Sequence, residues 1–163
     1  MLRKTGVPSE EELAKVIPPG ERLERGAVAI IECFERIPCN PCHDACARGA
    51  IKPFKDINDL PELDLDKCNG CGLCVAACPG LAIFVVDMSF SPDEALVKLP
   101  YEFLPLPEQG QMVSVLDREG NSLGQGRVVR VQRGKLRTAT PVVWVAVPKS
   151  IALDVRHIVV PEL

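Results

Sequence analysis

The sequence predicts an α+β protein in which a β-α-β unit occurs twice and a small all-β barrel or sandwich follows. Three observations carry this. A cysteine pattern recurs after 32 residues, so that Cys39, Cys42 and Cys46 fall on Cys71, Cys74 and Cys78, and the match runs on into Ala50-Ile51 against Ala82-Ile83. Beyond residue 110 the pattern changes to short β-branched runs separated by turn residues. Charge divides at the same place. Residues 1–110 hold 11 Lys+Arg against 18 Asp+Glu, while residues 111–163 hold 8 against 4, so an acidic half precedes a mildly basic one.

Residues 1–26 read as an arm with one short helix. Ser9 followed three residues later by Glu12 has the capping-box form, and Pro18-Pro19-Gly20 ends the helix that it opens. Residues 27–90 form the repeated unit. Ala27 to Glu32 is a strand leading into Cys33, a helix opens near Pro41, and Ala50-Ile51 starts a return strand. Glu62 to Leu65, a helix from Leu73 and Ala82 to Val86 repeat that plan. Residues 91–110, with Pro92, Pro100, Pro105 and Pro107, read as a semi-extended linker. Residues 111–163 form the β module. Met112 to Leu116 alternates, Glu119-Gly120-Asn121 is a hairpin turn, and Gly126 to Gln132 is β-branched. Arg133-Gly134-Lys135 is a second turn, and Pro141 to Val147 and Val155 to Val160 complete the set.

The apolar fraction of 47% is ordinary for a globular chain, but only Phe 5, Trp 1 and Tyr 1 are aromatic, so aliphatic packing must hold the core. No stretch approaches the roughly 18 uninterrupted apolar residues of a spanning helix. Met1 to Pro8 lacks the apolar segment of a secretory signal. A soluble cytoplasmic protein with no membrane span is expected.

The chemistry lies in the cysteines. Cys68, Cys71, Cys74 and Cys78, followed by Pro79, read C-x2-C-x2-C-x3-C-P. That spacing suits a [4Fe–4S] cubane, in which three thiolates wrap one cluster and the fourth turns to a second. Cys33, Cys39, Cys42 and Cys46 read C-x5-C-x2-C-x3-C. Structural zinc asks for separated pairs around one tetrahedral ion, and disulfides ask for an oxidising compartment. Neither suits this pattern. Two [4Fe–4S] clusters are the expected cofactors, adding a charge of about −4 to the acidic half.

On these residues the sequence resembles the bacterial two-cluster [4Fe–4S] ferredoxins, over roughly residues 27 to 90. The resemblance implies a ferredoxin-type bi-cluster domain with interleaved ligands. Cluster I would be held by Cys33, Cys39, Cys42 and, from the second run, Cys78. Cluster II would be held by Cys68, Cys71, Cys74 and, from the first run, Cys46. The 8 cysteines then meet eight ligand positions with none left over. Two departures stand in the first run. Ala47 follows Cys46 where the family has proline, and Phe34 to Pro38 is three residues longer than the matching segment of the second run. A longer loop costs little closure entropy, but were Cys33 unable to reach, cluster I would be a [3Fe–4S] centre on three thiolates. Pro38 and Pro41 delete backbone donors from the cluster-I loop, whereas Gly70 and Gly72 let amides approach cluster II, so cluster I is expected to be the harder to reduce.

A cluster protein with no substrate-pocket signature is an electron carrier rather than an enzyme, with no small-molecule substrate of its own. The layout is also similar to the small ferredoxin-like proteins that accompany flavin-dependent dehydrogenases of amino, imino or hydroxy acids, through the segment Ile31 to Cys42. That resemblance implies a flavin-dependent dehydrogenase subunit as partner and a relay of electrons to a further acceptor. Two other readings remain open. One is a freely diffusing ferredoxin. The other is a redox-sensing or structural iron–sulfur module that docks a protein or nucleic acid on the basic stretch Arg127, Arg130, Arg133, Lys135 and Arg137. The modest charge of this half and its single Trp weigh against nucleic acid. His43 and His157 complete no catalytic set; an exposed helix-start residue and a structural or solvent-facing strand residue are the expectations.

Overall fold

A computed structural model describes residues 2–133 and 140–161 of the chain. It opens with three short helices, α1 (Leu2–Thr5), α2 (Glu10–Val16) and α3 (Gly20–Glu24). The capping box of α2 is formed in full: the Glu12 amide donates to Ser9 Oγ and the Ser9 amide donates to Glu12 Oε2, at 3.2 and 2.8 Å. Pro18-Pro19-Gly20 ends α2 as expected but also starts α3, for Pro19 is the N-cap of that helix. The extra helix matters because it carries Arg22, whose buried guanidinium donates to the carbonyls of Gly26, Ala27, Leu65 and Cys68. The arm is thereby fastened to the first strand and to the second cysteine loop.

The strands are β1 (Val28–Ile31), β2 (Ile83–Asp87), β3 (Glu94–Pro100), β4 (Met112–Leu116), β5 (Ser122–Gln132), β6 (Val142–Pro148) and β7 (His157–Val159). They form one antiparallel sheet in the order β1-β2-β3-β6-β5-β4-β7. Two cysteine-bearing loops between β1 and β2 carry α4 (Pro41–Ala45) and α5 (Leu73–Ala77), which pack together. The expected return strand at Ala50-Ile51 shrinks to a single bridge, Ile51 to Leu63, since the chain there turns to serve the cysteine loop. None of the helices among the described residues is long and apolar enough to cross a membrane.

The linker expected at 91–110 is corrected by the structure. Glu94 to Pro100 is a buried central strand, paired with β2 on one side and along its whole length with β6 on the other. The four prolines obscured it, yet Pro100 merely closes the strand, where a lost amide is tolerated. The separate barrel or sandwich is corrected with it. Strands β4 to β7 continue the sheet begun by β1 and β2, because β3 joins the two sets edge to edge. The hairpin turn stands as expected, with Asp117 accepting from the amides of Glu119 and Asn121, and Gly120 at φ 87°. The turn at Arg133-Gly134-Lys135 runs into residues outside those described.

Alternation along the strands gives the sheet two apolar faces. One face gathers Ile30, Phe84, Val86, Val97, Leu99, Val115, Val145 and Ile158 into a single core. The other, from Ala29, Ile31, Ile83 and Val85, packs against Cys42, Cys74, Val75 and Ile51. Strands β1 and β2 are therefore buried on both sides. They form the wall between the aliphatic core and the cysteines.

Candidate metal centres

Helix α5 starts in a left-handed residue, Gly72 at φ 83°, two residues after Gly70 at φ 68°. These two glycines let the loop after Cys68 lie flat on the start of β1. A Cβ at Gly70 would stand 2.3 Å from Ala27 Cβ. In the first loop Pro41 occupies the first turn of α4, where its missing amide has no helical partner to lose.

The fold brings the eight cysteines into two groups that cross between the runs. Cys33, Cys39, Cys42 and Cys78 line one small cavity, walled by Ile31, Phe54 and Ile83. Cys46, Cys68, Cys71 and Cys74 line another, walled by Ala29, Ile51 and Val85. Cys33 reaches the first cavity despite its longer loop. Each set draws three cysteines from one run and one from the other. Among the described residues no three His, Cys, Asp or Glu side chains converge as a single ion would need. A cubane asks for a wider frame, one thiolate at each of four irons. Four cysteines around a small apolar cavity fit a [4Fe–4S] cluster in both places.

Backbone amides are aimed at the sulfurs. Ala50 N–H donates to Cys46 Sγ at 3.3 Å and Ala82 N–H to Cys78 Sγ at 3.4 Å, the same bond in each copy of the repeat. Ala29 N–H donates to Cys68 Sγ at 3.4 Å. Burial pushes the thiols of Cys42 and Cys74 up to about 11 and about 12, and raises Cys33, with neighbouring cysteines adding to burial in each case. Cys46 moves down, because the amides of Ile51, Ala50, Arg48 and Gly49 outweigh its burial. Metal ligation must therefore displace protons from the buried thiols.

Several residues here carry no motif in the sequence. Lys98, on the cysteine-facing side of β3, is buried, donates from Nζ to the Gly70 carbonyl at 2.7 Å, and lies 4.0 Å over the Trp144 ring. Burial lowers its pKa, with Cys71 and Asp87 opposing the shift. A lone lysine in Ala95-Leu96-Val97-Lys98-Leu99 was the available signal, masked by the surrounding prolines. At the other end of the wall Glu32 accepts from Arg118 at 2.5 Å and from Arg156 at 3.1 Å. Arg156 also stacks on Phe84, and its Nη2 is the one buried side-chain polar atom among the described residues without a hydrogen-bond partner.

The tempting residues take plain roles. His43 is half-buried rather than exposed, with Nδ1 2.8 Å from the Ile51 carbonyl. His157 stacks on Tyr101 and meets Phe103 edge-on, and burial lowers its pKa. Of the basic stretch, Arg127 pairs with Glu94, Arg130 lies 5.0 Å over Trp144 and Arg133 is exposed, while Lys135 and Arg137 fall outside the described residues.

Comparison with known proteins agrees with this geometry in kind. Residues 35–82 match the family model of the 4Fe-4S dicluster domain. The chain is 40% identical over 57 residues to the ferredoxin-type protein NapF of Haemophilus influenzae, covering 34% of this chain and 32% of that protein. It is 42% identical over 57 residues to a subunit of an ion-translocating oxidoreductase complex from Methanosarcina acetivorans, 35% of this chain and 19% of that protein. It is 39% identical over 51 residues to the thiosulfate reductase electron transfer subunit PhsB of Salmonella typhi, 28% of this chain and 26% of that protein. The matches thus span about a third or less of these relatives. No solved structure matches the chain. The matched segment is of 4Fe–4S ferredoxin type, and by name the relatives are a ferredoxin-type protein, an oxidoreductase complex subunit and an electron transfer subunit.

Proposed function

We propose that this chain is a two-cluster electron-transfer protein that works as a non-catalytic subunit of an oxidoreductase, with cluster I on Cys33, Cys39, Cys42 and Cys78 and cluster II on Cys68, Cys71, Cys74 and Cys46. The observation that carries this is the pair of cavities, each lined by four cysteines drawn from both runs. When bound, the clusters supply one-electron transfer at potentials that the protein tunes. The chain's own part is to place them. β1 and β2 separate the cysteines from the aliphatic core, and the amides of Ala29, Ala50 and Ala82 stabilise charge on Sγ of Cys68, Cys46 and Cys78. The partner proposed is a flavin-dependent dehydrogenase subunit, on the similarity of the segment Ile31 to Cys42.

Chemical analysis after anaerobic reconstitution tests the cluster content. About eight iron and eight sulfide per chain are expected from 8 cysteines. About four of each, or an oxidised three-iron signal in paramagnetic resonance, overturns the assignment. Affinity isolation from the native host tests the partner. Recovery of a stoichiometric flavoprotein supports the subunit reading, and recovery as a lone monomer favours a freely diffusing carrier.

A further inference from the structure

We infer that Lys98 is a fixed positive charge set into the cluster-II loop that holds the potential of cluster II above that of cluster I. This rests on the ligand assignment proposed above. Strand register places Ala29, Val85, Lys98, Trp144 and Arg130 in one row across five strands. At its start, Ala29 donates to Cys68 Sγ. In its middle, Lys98 Nζ holds the carbonyl of Gly70, between Cys68 and Cys71, and is backed by the ring of Trp144. That ring is fixed by a bond from Nε1 to Gln132 Oε1 at 3.3 Å.

Burying an ammonium is expensive unless an anion accompanies it. Among the described residues the buried charged side chains are Arg22, Lys98 and Arg156, all cations. Arg156 has Glu32 at 3.1 Å. Neither Lys98 nor Arg22 has a carboxylate in ion-pair range among the described residues, and the protein oxygens that both touch are carbonyls. Both border the same loop, through Gly70 and Cys68. Thiolate-ligated iron in the Cys46, Cys68, Cys71 and Cys74 cavity supplies the missing anion. Its negative charge grows by one on reduction, so a desolvated cation beside it favours the reduced form more than the oxidised. Beside cluster I the cations are neutralised instead: Arg118 and Arg156, which share a pocket with Cys33, Cys39 and Cys78, are held by the Glu32 carboxylate, and Arg36 is exposed and paired with Asp59 at the surface, where solvent and salt screen it.

The test uses the reconstituted full chain, titrated with dithionite as the one-electron donor while both clusters are followed by paramagnetic resonance. Lys98→Gln keeps a donor near Gly70 and removes the charge; Lys98→Met removes both. In Lys98→Gln, iron content should stay native, the cluster-I equilibrium should not move, and the cluster-II equilibrium should shift about tenfold towards the oxidised form, 59 mV for one electron. Loss of cluster-II iron in Lys98→Met alone, with the lowered potential in Lys98→Gln, supports the inference and adds an anchoring role. An unmoved cluster-II potential in Lys98→Gln, an equal shift in both clusters, or loss of cluster-II iron in both variants overturns it. A native protein with only one cluster takes down the ligand assignment and the inference together, whereas failure confined to the variants takes down the inference alone.

Discussion

Gly70 and Gly49 share a left-handed backbone but not the same surroundings. Their φ angles are 68° and 65°, yet a Cβ at Gly49 meets nothing within 4 Å while one at Gly70 overlaps Ala27 at 2.3 Å from its Cβ and 2.7 Å from its carbonyl carbon. The left-handed conformation alone costs an L-residue about 1–2 kcal/mol. Gly49→Ala should therefore lower stability by about that much and keep its iron. Gly70→Ala adds a collision with backbone, which no rotamer can relieve, and should shed cluster II. Iron analysis of the two variants side by side checks this; full iron in Gly70→Ala would show that the loop can lift off β1 without losing its grip.

At the scale of elements, the contact to test is the one between distant parts of the sheet. Glu32 follows β1, Arg118 lies in the β4–β5 turn and Arg156 directly precedes β7, so one carboxylate ties both edges of the sheet together. Removing it by Glu32→Ala leaves the buried Arg156 and the largely covered Arg118 guanidiniums with one exposed carboxylate, Asp154, beside them. Breaking a buried pair from one side costs about 3–5 kcal/mol. The Glu94–Arg127 pair, partly open to water, is worth about 1 kcal/mol or less. Urea midpoints of Glu32→Ala and Glu94→Ala should reproduce that ranking. Equal midpoints would mean that the sheet edges are held by packing alone.

For the molecule as a whole, the continuous sheet predicts one cooperative unit. Trp144 is the only tryptophan and sits on β6, so its fluorescence reports the C-terminal strands, while visible absorbance reports the clusters. On denaturation the two signals should be lost together. Removing residues 111–163 should abolish cluster assembly rather than leave a working domain, because Ile30, Phe84, Val86, Val97 and Leu99 would lose the strands that cover them. A truncated chain that still binds its iron would restore the picture of two modules.

The cysteine spacing announced the chemistry unaided, because cluster ligation depends on thiolates at short, fixed separations along the chain, which local geometry sets. For the same reason the capping box of α2, the starts of α4 and α5, the strands β1, β2, β4 and β6 and the Asp117–Asn121 turn were legible in sequence. What the sequence could not reveal was which face each strand presents and to what. Glu94 to Pro100 was hidden among prolines, and its place in the sheet depends on Val97 pairing with Val86 on one side and with the far more distant Val145 on the other, partners met only once the sheet assembles. Lys98, Arg22, Glu32, Arg118 and Arg156 were silent for the same cause. A charge becomes a site feature only when burial removes its solvent and the fold chooses its neighbour, and both are properties of tertiary structure.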